Sequence, residues 1–162
     1  MDALGRGEKA RQSFLRGYNC AQSVVLAFDD VLRGHGLDPR TVARMASPFG
    51  GGMGRMREVC GTVSGMLLVL GLVEGYDEAK EYAAKKELYA SVQRLAGAFR
   101  DQNGSIVCRE LLGLADGPDV PVPEKRTESY YRKRPCAELC ACSAQILAEY
   151  LDDGDASVDM ST

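Results

Sequence analysis

The chain has 162 residues and a formal net charge of −3, with 45% hydrophobic and 27% charged residues. These values are ordinary for one globular domain. They argue against a nucleic-acid-binding protein, because the phosphate backbone favours a concentrated basic face. We expect the two short basic runs, 125–126 and 132–134, to be solvated surface rather than a phosphate site.

No apolar segment favours secretion or a membrane. The N-terminus lacks the apolar region of a signal peptide. The longest apolar run, 63–73, is about half as long as the roughly 20 residues that a membrane-spanning helix needs. We therefore expect a cytoplasmic protein without membrane association, in which thiols are normally kept reduced.

Hydrophobic spacing is helical almost throughout the chain. It predicts an all-α, single-domain bundle of about six or seven helices over residues 1–151. The predicted helices lie at about 4–15, 20–32, 39–46, 58–73, 77–100, a short turn holding Cys108, and 135–151. We expect residues 113–134 to form a polar loop, and the acidic tail 152–162 to be disordered.

The segment 58–73 is apolar on most faces, which predicts a central helix surrounded by others. Its small residues Gly61, Ser64 and Gly65 would let a neighbouring backbone approach closely. The glycine-rich loop before it, 49–55, lacks the Gly-Lys-Ser/Thr ending of a P-loop, and no predicted strand precedes it. We expect this loop to shape the backbone beside Cys60 rather than to bind a nucleotide.

Six cysteines in a cytoplasmic domain of this size indicate metal binding or thiol chemistry rather than a disulfide framework. They are Cys20, Cys60, Cys108, Cys136, Cys140 and Cys142. No pair has the C-x-x-C spacing of common zinc sites, thioredoxin-like sites or covalent haem attachment. The single histidine, His35, lies between two glycines, so we expect it to be exposed and not a catalytic partner.

Four cysteines share a position at the predicted start of a helix. These are Cys20, Cys60, Cys108 and Cys136. A helix start lowers the pKa of a thiol, and its free N–H groups can contact anionic sulfur. If the four starts converged, they would form an anion-stabilising pocket, to which Arg55 and Arg57 could add positive charge.

The other two cysteines lie inside the last predicted helix. Cys140 is one turn after Cys136 and shares its face, so it could replace one of the four. Cys142 fits the role of a small apolar core residue better than that of a site thiol.

These motifs together resemble the bacterial and archaeal family of redox-active proteins named for its C_GCAxxG_C_C pattern. The resemblance covers residues from about 10 to 150, with Thr62 where the family's Cys-Gly-Ala-x-x-Gly motif has alanine. The matching segments are 19–23, 50–55, 60–65, 108–113 and 134–136. The substitution at Thr62 bears on helix packing near Cys60.

The resemblance implies a redox or electron-transfer protein. Relatives similar to haem-carrying proteins are associated with an iron–sulfur cluster in this type of domain. The expected cluster ligands are Cys20, Cys60, Cys108 and Cys136. Such a protein would act with a redox partner protein, and a homo-oligomer is compatible with the sequence.

Three alternatives stay open, and so does the question of whether the chain is an enzyme. A metal-free thiol–disulfide oxidoreductase would use Cys60 as nucleophile and Cys20, Cys108 or Cys136 as its resolving partner. A zinc or other soft-metal module would use the same four thiolates. A structural helical bundle that dimerises would use none of them.

Overall fold

The computed structural model describes the backbone of residues 1–159 and the side chains of residues 1–154. Within that range, the regular elements are helices. The α-helices are α1 (Ala3–Leu15), α2 (Cys20–Ala27), α3 (Asp29–Gly34), α4 (Pro39–Ala46), α5 (Gly50–Met53), α6 (Gly61–Glu74), α7 (Tyr82–Asn103), α8 (Cys108–Leu111), α9 (Glu128–Lys133) and α10 (Cys136–Asp159). A 3₁₀ turn, Ser47–Phe49, joins α4 to α5.

The predicted all-α single domain is confirmed. Six of the described helices have eight or more residues, and the rest are single turns or little longer. None of the helices in this part of the chain combines the length and apolar character that a bilayer crossing requires. The one pairing of extended backbone among the described residues is an isolated antiparallel bridge between Val59 and Val107.

Several helix boundaries differ from the prediction. The helix expected over 20–32 is divided at Phe28, whose backbone dihedrals (φ −110°, ψ 30°) are not helical. The loop expected over 113–134 contains α9. The last helix continues past Leu151 to Asp159, because residues 152–159 contain no proline and a single glycine costs a helix only about 1 kcal/mol. It thus enters the predicted disordered tail, of which residues 160–162 lie outside the described residues.

The predicted central helix is α6, which packs against α2, α7 and α10. Its side chains Val63, Met66 and Val69 are at most 1% exposed. A Cβ added at Gly65 would lie 2.6 Å from the Ala21 carbonyl oxygen, so the glycine lets α2 and α6 approach closely. This packing holds the start of α2 against the start of α6.

An arginine on α1 fixes the other side of α2. The buried Arg6 guanidinium donates a hydrogen bond to the Ala27 carbonyl (2.9 Å) and pairs with Asp30. It also lies 4.7 Å from the centre of the Phe28 ring. The break between α2 and α3 is therefore stabilised by a satisfied buried cation.

Candidate functional site

Four of the six cysteines line one cavity of about 260 Å³. They are Cys20, Cys60, Cys108 and Cys136. Three of them are the first residues of α2, α8 and α10, and Cys60 directly precedes α6 as its N-cap. The structure thus places these residues at helix starts, as the sequence predicts, and brings the four starts together.

Backbone pairing positions Cys60 beside Cys108. The Cys60 N–H donates to the Ile106 carbonyl at 2.8 Å, and the Cys108 N–H donates to the Glu58 carbonyl at 2.7 Å. These bonds flank the isolated antiparallel bridge. They hold two segments that are distant in sequence, so the two thiols belong to one rigid wall.

The glycine-rich loop completes that wall. Gly51 and Gly52 have φ values of 68° and 67°, a left-handed conformation that glycine adopts without strain. A Cβ at Gly52 would lie 2.7 Å from the Cβ of Cys108. The Gly51 and Gly52 carbonyls also accept from the N–H groups of Arg57 and Glu58, at 3.3 and 3.0 Å. The loop therefore shapes the backbone just before Cys60, as the sequence predicts, and also contacts Cys108. We call Cys20, Cys60, Cys108 and the loop 50–54 the thiol wall.

The glycine after Cys60 makes room for another cysteine. A Cβ at Gly61 would lie 2.4 Å from the Cys20 Sγ and 2.7 Å from the Phe49 carbonyl oxygen. The adjacent Thr62 is fully buried, and its hydroxyl lies 3.2 Å from the Cys60 Sγ. Thr62 therefore contacts a site sulfur in addition to its packing in α6.

Arg55 and Arg57 line the cavity, as the sequence predicts. Arg57 is 5% exposed, and its Nη1 donates to the Cys108 Sγ at 3.8 Å. Both guanidinium groups also donate to Asp119, at 2.7 Å from Arg55 and 2.9 Å from Arg57. One carboxylate from a distant loop thus fixes both arginines beside the thiols.

The loop that supplies Asp119 also contributes to the cavity lining. We call residues 113–134, which include α9, the cover. Pro121, Pro123 and Glu124 of the cover line the cavity. The Asp119 N–H donates to the Arg55 carbonyl at 3.0 Å, and Arg109 donates to the Gly117 carbonyl at 3.0 Å.

The prediction that the basic runs are solvated surface is wrong for two arginines of the cover. Arg126 and Arg134 are half-buried and line the cavity, while Lys125, Arg132 and Lys133 are exposed. The sequence contains one feature that could have predicted this burial. An aromatic pair, Tyr130 and Tyr131, lies between the two basic runs, and arginine side chains stack on aromatic rings.

A family model described as "Putative redox-active protein (C_GCAxxG_C_C)" matches residues 18–150, most of the chain and all six cysteines. The chain belongs to the C_GCAxxG_C_C family. The resemblance seen in the sequence is thereby confirmed. Neither the comparison with curated proteins nor that with solved structures found a significant match.

The C_GCAxxG_C_C family is described as redox-active, and the four-cysteine cavity is where this chain concentrates redox-capable groups. The remaining two cysteines, Cys140 and Cys142, are not part of the cavity lining. Cys140 is fully buried, and its Sγ lies 3.8 Å from the Cys20 carbonyl, outside the cavity lining. Cys142 is half-buried and accepts a hydrogen bond from Asn103 Nδ2 at 3.2 Å. His35 is exposed, as the sequence predicts.

Burial raises the pKa of three of the four site thiols in this C_GCAxxG_C_C protein. It raises the pKa of Cys60 to about 12, with a further contribution from Cys20. It also raises the pKa of Cys136 to about 12. Burial raises the pKa of Cys20 as well, although the backbone N–H of Gly51 opposes the shift.

The prediction that helix starts lower the thiol pKa is therefore wrong in direction for these three residues. Loss of hydration outweighs the helix dipole and the N–H contacts. At neutral pH these three thiols keep their protons unless a soft cation displaces them. All six cysteines are free thiols.

Proposed function

We propose that this chain is an electron-transfer protein in which Cys20, Cys60, Cys108 and Cys136 hold an iron–sulfur cluster. The observation that carries the proposal is the convergence of four thiols, from four separate segments, on one cavity of about 260 Å³. Four cysteine thiolates are the usual ligand set of iron–sulfur clusters. When bound, such a cluster supplies one-electron transfer.

The grouping of the described side chains does not favour a single metal ion. Among the described residues, no three histidine, cysteine or carboxylate side chains are grouped so that they could hold one metal ion. A single zinc ion needs its sulfurs about 2.3 Å from one centre. A cluster of several irons separates its ligands further, which suits thiols arranged around a cavity.

The surroundings of the thiols include groups that stabilise deprotonated, anionic sulfur. Arg57 donates to the Cys108 Sγ and is 5% exposed, so its charge is little screened by water. The N–H of Gly51 favours the thiolate of Cys20 and opposes the burial that raises the pKa of that thiol. Donors of this kind stabilise added negative charge and raise a reduction potential.

A metal-free thiol–disulfide enzyme is less well supported. Its nucleophile would have to be a thiolate at neutral pH, yet burial raises the pKa of Cys60 to about 12. The thiolate fraction at pH 7 would be on the order of one in 10⁵. The predicted nucleophilic roles of Cys60 and Cys20 thus have weaker support than their roles as ligands.

Anaerobic reconstitution tests the proposal. The reduced chain is incubated with ferrous iron and sulfide and desalted, and its iron, its acid-labile sulfide and its visible absorption are measured. We expect a brown protein with comparable amounts of iron and sulfide. A colourless, iron-free chain after reconstitution would overturn the proposal.

Variants of single cysteines locate the ligands. Cys60→Ser and Cys108→Ser are expected to lose most of the bound iron, while their far-UV circular dichroism stays that of the wild type. Cys142→Ser is the matched control, since Cys142 lies outside the cavity lining. Equal iron in all three variants would contradict the assignment of the ligands.

A further inference from the structure

One cationic group in the cavity has no anionic partner. Four arginines line the cavity, and three of them are paired with carboxylates. The pairs are Arg55 with Asp119, Arg57 with Asp119, and Arg134 with Glu124. Arg126 makes no ion pair within residues 1–154, and its Nη1 is buried without a hydrogen-bond partner there.

Aromatic rings hold Arg126 in place. Its guanidinium carbon lies 4.4 Å from the ring centre of Phe14, 4.8 Å from that of Tyr130 and 5.9 Å from that of Tyr131. Its Nη2 reaches the Tyr18 carbonyl at 3.5 Å. Stacking covers the faces of a guanidinium and leaves its edge, where the N–H groups project, for hydrogen bonding.

A buried cationic donor without an acceptor is unfavourable, so the unpaired Nη1 indicates a missing acceptor. The planar guanidinium matches a carboxylate, which it can bind through two parallel hydrogen bonds. The cavity lining also contains apolar side chains. They include Phe14, Leu139, Pro121 and Pro123.

We propose that the Arg126 end of the cavity binds a small organic carboxylate. The carboxylate accepts from Arg126, and its apolar part packs against Phe14 and the prolines of the cover, in the cavity that Cys136 also lines. The inference goes beyond the proposed function, because it assigns a second ligand to the cavity and does not require a cluster.

The test uses benzoate as probe and benzamide as its neutral, nearly isosteric counterpart. Titration calorimetry is performed on the reduced, iron-free chain at low ionic strength. We expect saturable one-to-one binding of benzoate, and benzamide binding at least roughly tenfold weaker, the loss typical of a charged hydrogen-bond partner. Equal affinity for the two probes would overturn the proposal.

Substitution of the arginine supplies the matched comparison. Arg126→Gln is expected to weaken benzoate binding by roughly tenfold or more. Arg132→Gln makes the same charge change at an exposed position nearby and should leave the affinity unchanged. If R126Q does not fold, Arg126→Lys is used instead. This variant keeps the charge but loses the planar guanidinium, so it should also weaken benzoate binding. Wild-type affinity in R126K would refute the proposal.

Amide chemical shifts show where the probe binds. In two-dimensional ¹H–¹⁵N spectra of the reduced chain, benzoate should shift the backbone signals of Arg126 and Cys136 and leave that of Cys142 unaffected. Unchanged signals of Arg126 and Cys136 at saturating benzoate would place the probe outside the cavity and overturn the assignment. Iron reconstitution is measured separately, so failure here is distinguishable from failure of the proposed electron-transfer function.

Discussion

The thiol wall and the cover enclose the same cavity but are held by different forces. The thiol wall is fixed by backbone hydrogen bonds and by glycines that admit close contact, as at Gly52 and Gly61. Near the thiols, the cover is attached mainly by arginine side chains: Arg55 and Arg57 pair with Asp119, and Arg109 donates to the Gly117 carbonyl. One backbone bond, from the Asp119 N–H to the Arg55 carbonyl, joins them. We infer that the thiol wall is rigid and intolerant of substitution, and that the cover can be loosened without unfolding the bundle.

The largest expected effect tests the rigidity of the thiol wall. In Gly61→Ala, the new Cβ would lie 2.4 Å from the Cys20 Sγ and 2.7 Å from a backbone oxygen. We expect a loss of about 3 kcal/mol in the free energy of unfolding, measured with urea, because neither neighbour can move freely. The variant should also take up less iron than the wild type in anaerobic reconstitution.

The same helix offers a control. A Cβ at Gly71 in α6 would meet nothing within 4 Å, so Gly71→Ala should leave stability unchanged or raise it by up to about 1 kcal/mol. If both variants lost the same amount of stability, the loss would come from replacing any glycine in α6 and not from the contact with the Cys20 sulfur.

A second expected effect concerns the buried thiols and pH. Burial raises the pKa of Cys60 to about 12, against about 8.5 in an unfolded chain. Because the folded pKa is higher, the stabilisation is fully present below about pH 8.5 and is lost as pH rises towards 12. From pH 8.5 to 9.5, each such thiol should lower the free energy of unfolding by about 1 kcal/mol.

Urea unfolding of the reduced, iron-free chain at several pH values measures this slope. Cys60→Ala removes one raised thiol, so its stability should fall less steeply with pH than that of the wild type. A wild-type stability that is flat between pH 8 and 9.5 would mean that the thiols of the folded chain are not protected from ionisation.

Sequence reasoning succeeded where local rules determine the structure. Asn19 caps α2 through a reciprocal bond pair with Gln22, a pattern readable from the residue types alone. The position of Cys20 at a helix start follows from it. The Gly61 motif likewise indicated close backbone approach, and the structure identifies the Cys20 sulfur as one of the atoms approached.

Prediction failed where the outcome depends on packing between distant segments. Arg126 is in the cavity because the ring of Phe14, on α1, lies 4.4 Å from its guanidinium, and no local pattern links the two positions. The pKa direction of Cys60 depends on how completely the whole fold excludes water. The break at Phe28 similarly depends on Arg6, which donates to the last carbonyl of α2.

The smallest expected effect concerns the cover. Asp119→Asn weakens both ion pairs to Arg55 and Arg57, and the free energy of unfolding should fall only slightly, because Asp119 is partly exposed. Iodoacetamide should nevertheless label Cys108 faster, since Arg57 loses its fixed position beside that sulfur. Asp116→Asn makes the same charge change in the cover and should alter neither measurement. Unchanged labelling in D119N would show that the cover is held by its apolar contacts instead, and the contrast between the two walls would then disappear.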